Sequence, residues 1–297
     1  MKTMRYPLLI ALVLAIIGII FGSFFDFSVS SAIASSSNAY GLLVSAIGPT
    51  VGFAGVSIIG GGFIALIIKG KYHVALKVLF GILAICCLGV SIYYPAGEWF
   101  GVNGFHNAAP EIVGYIIAFF PAVGGMVGGY FIFRDCQNKN MWIIFCIVIV
   151  LLLIALLGVI PGLKGIMHRP RFRFITKFDE SLFHNWWNPC KDYNALMTKY
   201  GAPDDDFKSY PSGHTAEASI LLVTITILPL ANEKYERYQL TLFILGCLWV
   251  FLIAFARILA AAHYLSDVST GATIMLTLLF ITNEIIIRIK PLQLKKE

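Results

Sequence analysis

Residues 141–163 read MWIIFCIVIVLLLIALLGVIPGL, an apolar run without one charged side chain. An α-helix needs about 20 such residues to cross some 30 Å of hydrocarbon. A membrane β-strand would instead alternate apolar and polar over about 10 residues. Working outward, runs of the same kind recur at 7–25, 50–68, 74–94, 112–133, 213–231, 240–259 and 264–287. The sequence therefore predicts an all-α fold, a polytopic transmembrane helical bundle of about eight helices. Composition agrees. Apolar residues make up 58% of the 297 and charged residues only 13%, where a soluble domain carries about 25% charged. A mean hydropathy of +0.81 exceeds what one soluble core of this length could hide. Soluble globule, disordered chain, coiled coil and disulfide scaffold are excluded together.

Six cysteines give no framework. Cys86, Cys87, Cys146 and Cys247 lie inside apolar runs, and no CxxC spacing occurs, so no zinc or redox motif is present. Lys2 and Arg5 precede the first run, and Ala32-Ile33-Ala34 fits a cleavage pattern. The run before that triplet is already long enough to span, and it reads as a retained helix.

Basic residues set the expected orientation. With both termini cytoplasmic, Lys2, Arg5, Lys69, Lys71, Arg134, Lys139, Lys234 and Arg237 fall on the inner side, and the segments 26–49 and 95–111 carry none. This obeys the positive-inside rule. Lys164, Arg169, Arg171, Arg173 and Lys208 break it by clustering at the outer side. Either the topology of this half is inverted, or they bind an anion, or they form a solvated loop balanced by Asp204, Asp205 and Asp206.

The middles of the runs hold almost no charge, which disfavours an ion-coupled transporter. His214, Glu217, Arg257, His263 and Asp267 instead map to the outer ends of the last three helices, and Lys164, Arg169 and Arg171 to the outer end of the fifth. Four distant stretches thus deliver polar groups to one interface, an active site at the outer face. Pro211-Ser212-Gly213-His214 opens an apolar helix. Ser212 is a good N-cap, the helix start offers N–H groups to an anion, and Gly213 allows close backbone approach. His263 and Asp267 share a face at i,i+4, so Asp267 could accept the Nδ1–H and leave Nε2 as a lone pair. Arg257, six residues before His263, cannot share that face, so a break near 260–262 is expected. Lys164 and Arg171 suit phosphate as point charge and fork. Glu217, three residues after His214, could tune it or stand as a solvated interfacial acid, the second being the plainer reading. The aromatic loop 165–210 would either pack at the interface or guide a lipid inward.

The order Lys164, Arg171, Pro211-Ser212-Gly213-His214, Arg257, His263, Asp267 resembles the three-part signature of the type 2 phosphatidic acid phosphatase superfamily. Phe172 stands where that family has Pro, and Ala256 where it has Ser. The resemblance spans about 141–288, so the chain divides into 1–140, without a recognised motif, and the phosphatase core 141–297. It implies an integral membrane phosphatase that cleaves a phosphate ester or diphosphate without metal or cofactor. His263 would be the nucleophile forming a phosphohistidine, Asp267 its orienting acid and His214 the general acid and base. Lys164, Arg171, Ser212, Gly213 and Arg257 would grip the phosphate, with Arg169 a further candidate. The partner implied is a membrane lipid phosphate in the bilayer, and no nucleic acid. Undecaprenyl diphosphate, phosphatidate and phosphatidylglycerophosphate all fit, and a soluble phosphate ester is a further option. Rival readings are a Ser212–His263–Asp267 hydrolase, a metal enzyme with His214, His263 and Asp267 as ligands, and a non-enzymatic lipid or anion transporter or binding protein. The superfamily also contains vanadium haloperoxidases with a similar anion site.

Overall fold

The computed structural model describes residues 4–101, 111–136, 138 and 140–293. Among them every element is helical, and eight helices are long and apolar enough to cross a membrane. The protein is a multi-pass membrane protein. Its helices are α1 (Arg5–Ile33), α2 (Ala39–Lys69), α3 (Val74–Gly101), α4 (Glu111–Phe133), α5 (Met141–Leu153), α6 (Ile160–Met167), α7 (Phe172–Phe178), α8 (Tyr193–Tyr200), α9 (Gly213–Ala218), α10 (Ile220–Ala231), α11 (Glu236–Leu259) and α12 (Leu265–Gln293). Lys2 and Lys139, both placed on the inner side by the charge rule, lie outside the described residues.

Two spans are longer than the apolar pattern predicts. Helix α1 continues to Ile33, and α2 begins at Ala39 rather than 50. Asn38 caps α2 by accepting the Gly41 N–H at 2.7 Å. The extra turns run through polar and small residues that hydropathy discounts. They are helical because they pack. A Cβ on Gly41 would press on the Ala260 nitrogen, and one on Gly48 on the Ile253 side chain. What reads as an outer segment 26–49 is, outside helix, only 34–38.

Helix α2 is the central post of the bundle. It packs against α3 and α4 on one side and α9, α10 and α11 on the other. Without a hydrophobic drive between helices in lipid, small residues allow the closest contacts. Gly52 is such a place, since a Cβ there would collide with the Glu217 carbonyl of α9. Helix α1 packs on α12, burying a stripe of Gly22, Asp26 and Ser30 at i,i+4 spacing.

The fifth span is not a uniform helix. Residues Ile154–Val159 form a π-helical segment between α5 and α6. Pro161 follows at the start of α6. A proline ring cannot donate and crowds the carbonyl four residues back, and a wider turn relieves that conflict. Helix α6 ends at Met167, with His168 in the left-handed region (φ 43°). The chain then crosses one end of the bundle through α7 and α8. Phe172, Phe174, Ile175, Phe207 and Tyr264 bury themselves there in a small second core. The packing alternative therefore holds for most of the aromatic loop, although Trp187 stays half exposed.

Candidate active site

The ends of α1, α6 and α11 and the starts of α9 and α12 meet at this end of the bundle, under the crossing segment. Helix α11 stops at Leu259, Ala261 takes a positive φ of 54°, and α12 starts at Leu265. The expected break near 260–262 is present. The N–H groups of Ala262 and His263 both turn back to the Arg257 carbonyl at 3.2 Å, which seats His263 above the last turn of α11.

His263 is buried, and its ring is held at both nitrogens. Nδ1 lies 2.6 Å from the Ser209 carbonyl oxygen. A carbonyl only accepts, so Nδ1 carries the proton and Nε2 the lone pair. Nε2 lies 3.3 Å from the Arg171 guanidinium. This corrects the expected partner, because Asp267 Oδ2 stands 3.7 Å from Nδ1, outside hydrogen-bond range. Asp267 acts one step further out. Its Oδ2 accepts from the Ser209 hydroxyl at 2.5 Å and from the Tyr264 N–H at 2.9 Å. It thereby fixes the residue whose carbonyl orients the imidazole. Burial holds the His263 imidazole well below the usual range. Asp267 pulls it upward, and the cations Arg171 and Arg257 push it down. The ring is neutral at pH 7, the state a nucleophile requires.

Arg171 is fixed from behind. Its guanidinium donates to the Ala262 carbonyl (2.9 Å) and to the Asp205 carbonyl and carboxylate (both 2.8 Å). Burial would raise the Asp205 carboxyl, but Arg171 and Arg173 beside it hold it below the usual carboxylate range. Arg173 also pairs with Asp205 and Asp206 at 2.8 Å, and Lys208 pairs with Asp204. The acidic triplet thus balances Arg173 and Lys208, as a solvated loop would. It clamps Arg171 in place beside Nε2.

Ser212 caps α9 as expected, accepting the Thr215 N–H at 3.4 Å and contacting the Thr215 hydroxyl at 3.0 Å. Its N–H donates to the Asp267 carbonyl at 3.0 Å. A Cβ on Gly271 would run into the Ser212 carbonyl, so α12 can support this turn only with glycine there. The Lys164 ammonium approaches the start of α9, 3.7 Å from where a Cβ on Gly213 would sit. The charges of Arg257, His263, Lys164 and Arg171 all act on His214. Glu217 is buried rather than solvated, because its helix lies against α2, and its Oε1 turns back toward Gly213.

Arg169 differs from the other cations. It is wholly buried, and its guanidinium donates to the His184 carbonyl (2.8 Å), Ser266 Oγ (2.8 Å), Asp267 Oδ1 (2.6 Å) and Asp26 Oδ2 (2.8 Å). The Tyr264 ring covers it at 4.1 Å. Four of its five N–H donors are spent in this buried network, two of them on carboxylates. Asp26 lies in α1 and also accepts from the N–H (2.8 Å) and hydroxyl of Ser266.

Among the described residues, no three His, Cys, Asp or Glu side chains are placed to hold a metal ion. His263 Nε2 faces Arg171, and the Ser212 hydroxyl oxygen accepts from the Thr215 N–H and hydroxyl.

Residues 139–289 match the family model of the PAP2 superfamily. The chain belongs to the PAP2 superfamily. Neither the curated proteins nor the solved structures compared with it gave a match. PAP2 membership supports a phosphatase acting on phosphate esters, hence a hydrolase, and the eight apolar helices suit a substrate held in a bilayer.

Two site residues escape a reading of motifs. Ser209 contributes its main chain, which no side-chain pattern reports. Asp26 left a usable signal, because it is the only acidic residue before Glu98.

Proposed function

We propose that the protein is an integral membrane phosphatase that hydrolyses a lipid phosphate or diphosphate through a phosphohistidine at His263. The observation that carries this reading is the fixed His263 tautomer, its Nε2 lone pair 3.3 Å from a buried arginine. A lone pair beside cations is suited to meet a phosphorus whose oxygens those cations neutralise. Nε2 forms a bond to phosphorus while the bond from phosphorus to the leaving oxygen breaks. His214 gives that oxygen its proton. It then takes a proton from water, whose oxygen attacks phosphorus. The phosphorus–nitrogen bond breaks with its electrons returning to Nε2, and inorganic phosphate leaves. Lys164, Arg171 and Arg257, with the amide of Gly213, grip the phosphate, while the Ser212 N–H is already given to the Asp267 carbonyl. Their charge supplies what a metal would otherwise provide, so the reaction is metal-independent.

A lipid substrate is favoured by a groove of about 440 Å³ beside the site. Thr215, Ile258 and Leu265, each within two positions of His214, Arg257 or His263, form part of its wall. The remainder is apolar surface of α1, α11 and α12, including Ala11, Leu14, Val250 and Ala254. A hydrocarbon tail suits such a wall. In this reading residues 141–297 are the catalytic half, the termini are cytoplasmic, and the site works at the outer face of the cell membrane, in lipid metabolism of the envelope.

A panel of phosphatidate, phosphatidylglycerophosphate, a polyprenyl diphosphate and a soluble phosphate ester tests the proposal. Purified wild type and His263→Ala would be assayed with excess chelator and with vanadate. Phosphate release from a lipid, insensitive to chelator, blocked by vanadate and lost in the variant, is the expected result. Release that survives His263→Ala, or stops with chelator, overturns it.

A further inference from the structure

We infer that Asp26, in the first helix and outside the matched family segment, is a positioning residue for the reaction. It sets the charge that His263 experiences. The inference rests on the phosphohistidine reading. Arg169 bridges two carboxylates, Asp26 at 2.8 Å and Asp267 at 2.6 Å, and all three groups are buried. Without Asp26, Arg169 and Asp267 would form a neutral pair. His263 would then have no net negative charge beside it, although its ring becomes cationic when it takes a phosphoryl group. With Asp26 present the three groups sum to one negative charge, 3.7 Å from the ring at its nearest oxygen. In a buried site such a charge acts with little screening.

The geometry is specific. Gly22, one turn before Asp26, has no room for a Cβ, which would meet the Ser266 nitrogen and Asp26 Oδ1. Helices α1 and α12 therefore approach at this point, and Asp26 binds the Ser266 N–H and hydroxyl while pairing with Arg169. The other charged and titratable groups around His263 are Arg171 from the crossing segment, Arg257 from α11, and Asp267 from its own helix. His214 from α9 faces it too, with Lys164 from α6 beyond. The cations oppose a charged ring. Asp267 beside the ring and Asp205 behind Arg171 favour it, and Asp26 adds its charge through Arg169.

The test compares wild type with Asp26→Asn and Asp26→Ser, two neutral replacements of which the smaller keeps the test open should Asn disturb packing. Lipid phosphatase kcat and KM would be measured from pH 4 to 9 on folded protein. The neutral variant is expected to lose about 10- to 100-fold in kcat, the scale seen for carboxylates that orient a histidine, with KM within about threefold. The acid limb of kcat/KM should move to lower pH, because a proton on His263 becomes less favourable. The substrate titrates identically in each case, so that shift belongs to the protein. Asp26→Asn combined with Arg169→Met returns the site to one negative charge and should move the limb back. A neutral variant with wild-type kcat and limb, or a double variant whose limb stays with the single, overturns the inference. If wild type itself forms no phosphohistidine, the functional reading fails first.

Discussion

The two halves of the molecule contribute to the site in opposite ways. Residues 141–293 supply every side chain that would face a phosphate, and they carry them at helix ends on the second half of the bundle. The first four helices supply none of these. Yet α1 sends Asp26 into the carboxylate network behind His263, and α2 passes Gly52 against the backbone of α9. The half that would touch substrate holds the recognisable motif, whereas the half behind it is largely apolar and contributes Asp26 and closely packed glycines. Chemistry constrains the residues that meet a ligand to few types. Support from behind needs only a fitted shape or one charge, which many sequences provide.

Substitutions of the groups that would meet the phosphate should act chiefly on turnover. His263→Ala is expected to lower kcat by about 10³-fold or more, because the nucleophile is gone, with little change in melting temperature. Arg171→Ala should cost about 10²–10³ in kcat through one lost donor to the phosphate oxygens. Steady-state assays on one lipid phosphate check both.

Changes at the packed glycines of the supporting half should act first on the fold. Gly52→Leu forces a side chain into the Glu217 carbonyl, and overpacking of this kind costs about 1–3 kcal/mol. A lowered melting temperature is expected, with turnover falling only as α9 shifts. A Gly52→Leu protein as stable as wild type would mean the two halves are less tightly fitted than the glycine contacts require.

The groove lies where the halves meet, and Ala254→Trp would narrow it. Catalysis on a long-chain lipid phosphate should fall about tenfold, roughly the 1.4 kcal/mol of a misfitted tail, while a short soluble ester is hydrolysed as before. Equal loss on both substrates would move the tail elsewhere.

The smallest effect belongs to the clamp on Arg171. Asp205→Asn should raise KM severalfold, since the single carboxylate bond to Arg171 that it weakens is worth about 1 kcal/mol where partly exposed. It should also flatten acid sensitivity. The Asp205 carboxyl is depressed in the folded protein, so its stabilisation is present above about pH 3.9 and lost as pH falls. His263 adds to the acid loss in a higher window. Its folded value is depressed, the unfolded chain binds more protons, and stability therefore drops as pH falls below about 6.5. Melting temperatures across pH 3–8 read both windows.

Much of this was legible before any coordinates. Eight spans follow from run length, and the break between Arg257 and His263 follows from helical geometry. Helix α2 starts earlier than its hydropathy because packing of Gly41 and Gly48 against α11, not lipid exposure, makes that end helical. Glu217 is buried because α2 covers it, a tertiary fact. Spacing gives the Nδ1–H to Asp267, whereas the structure gives it to the Ser209 carbonyl. Spacing placed both residues on one face but could not reveal that the Ser209 main chain comes between them. Arg169 reads as one more phosphate cation from sequence, and its partner Asp26 lies 143 positions away.

Rapid quenching of the enzyme with a radiolabelled lipid phosphate, followed by peptide mapping at alkaline pH, tests the central chemistry. An acid-labile phosphoryl group on His263, absent from His263→Ala, is the result this geometry requires. Label on Ser212, or turnover with no labelled protein at any quench time, would contradict it.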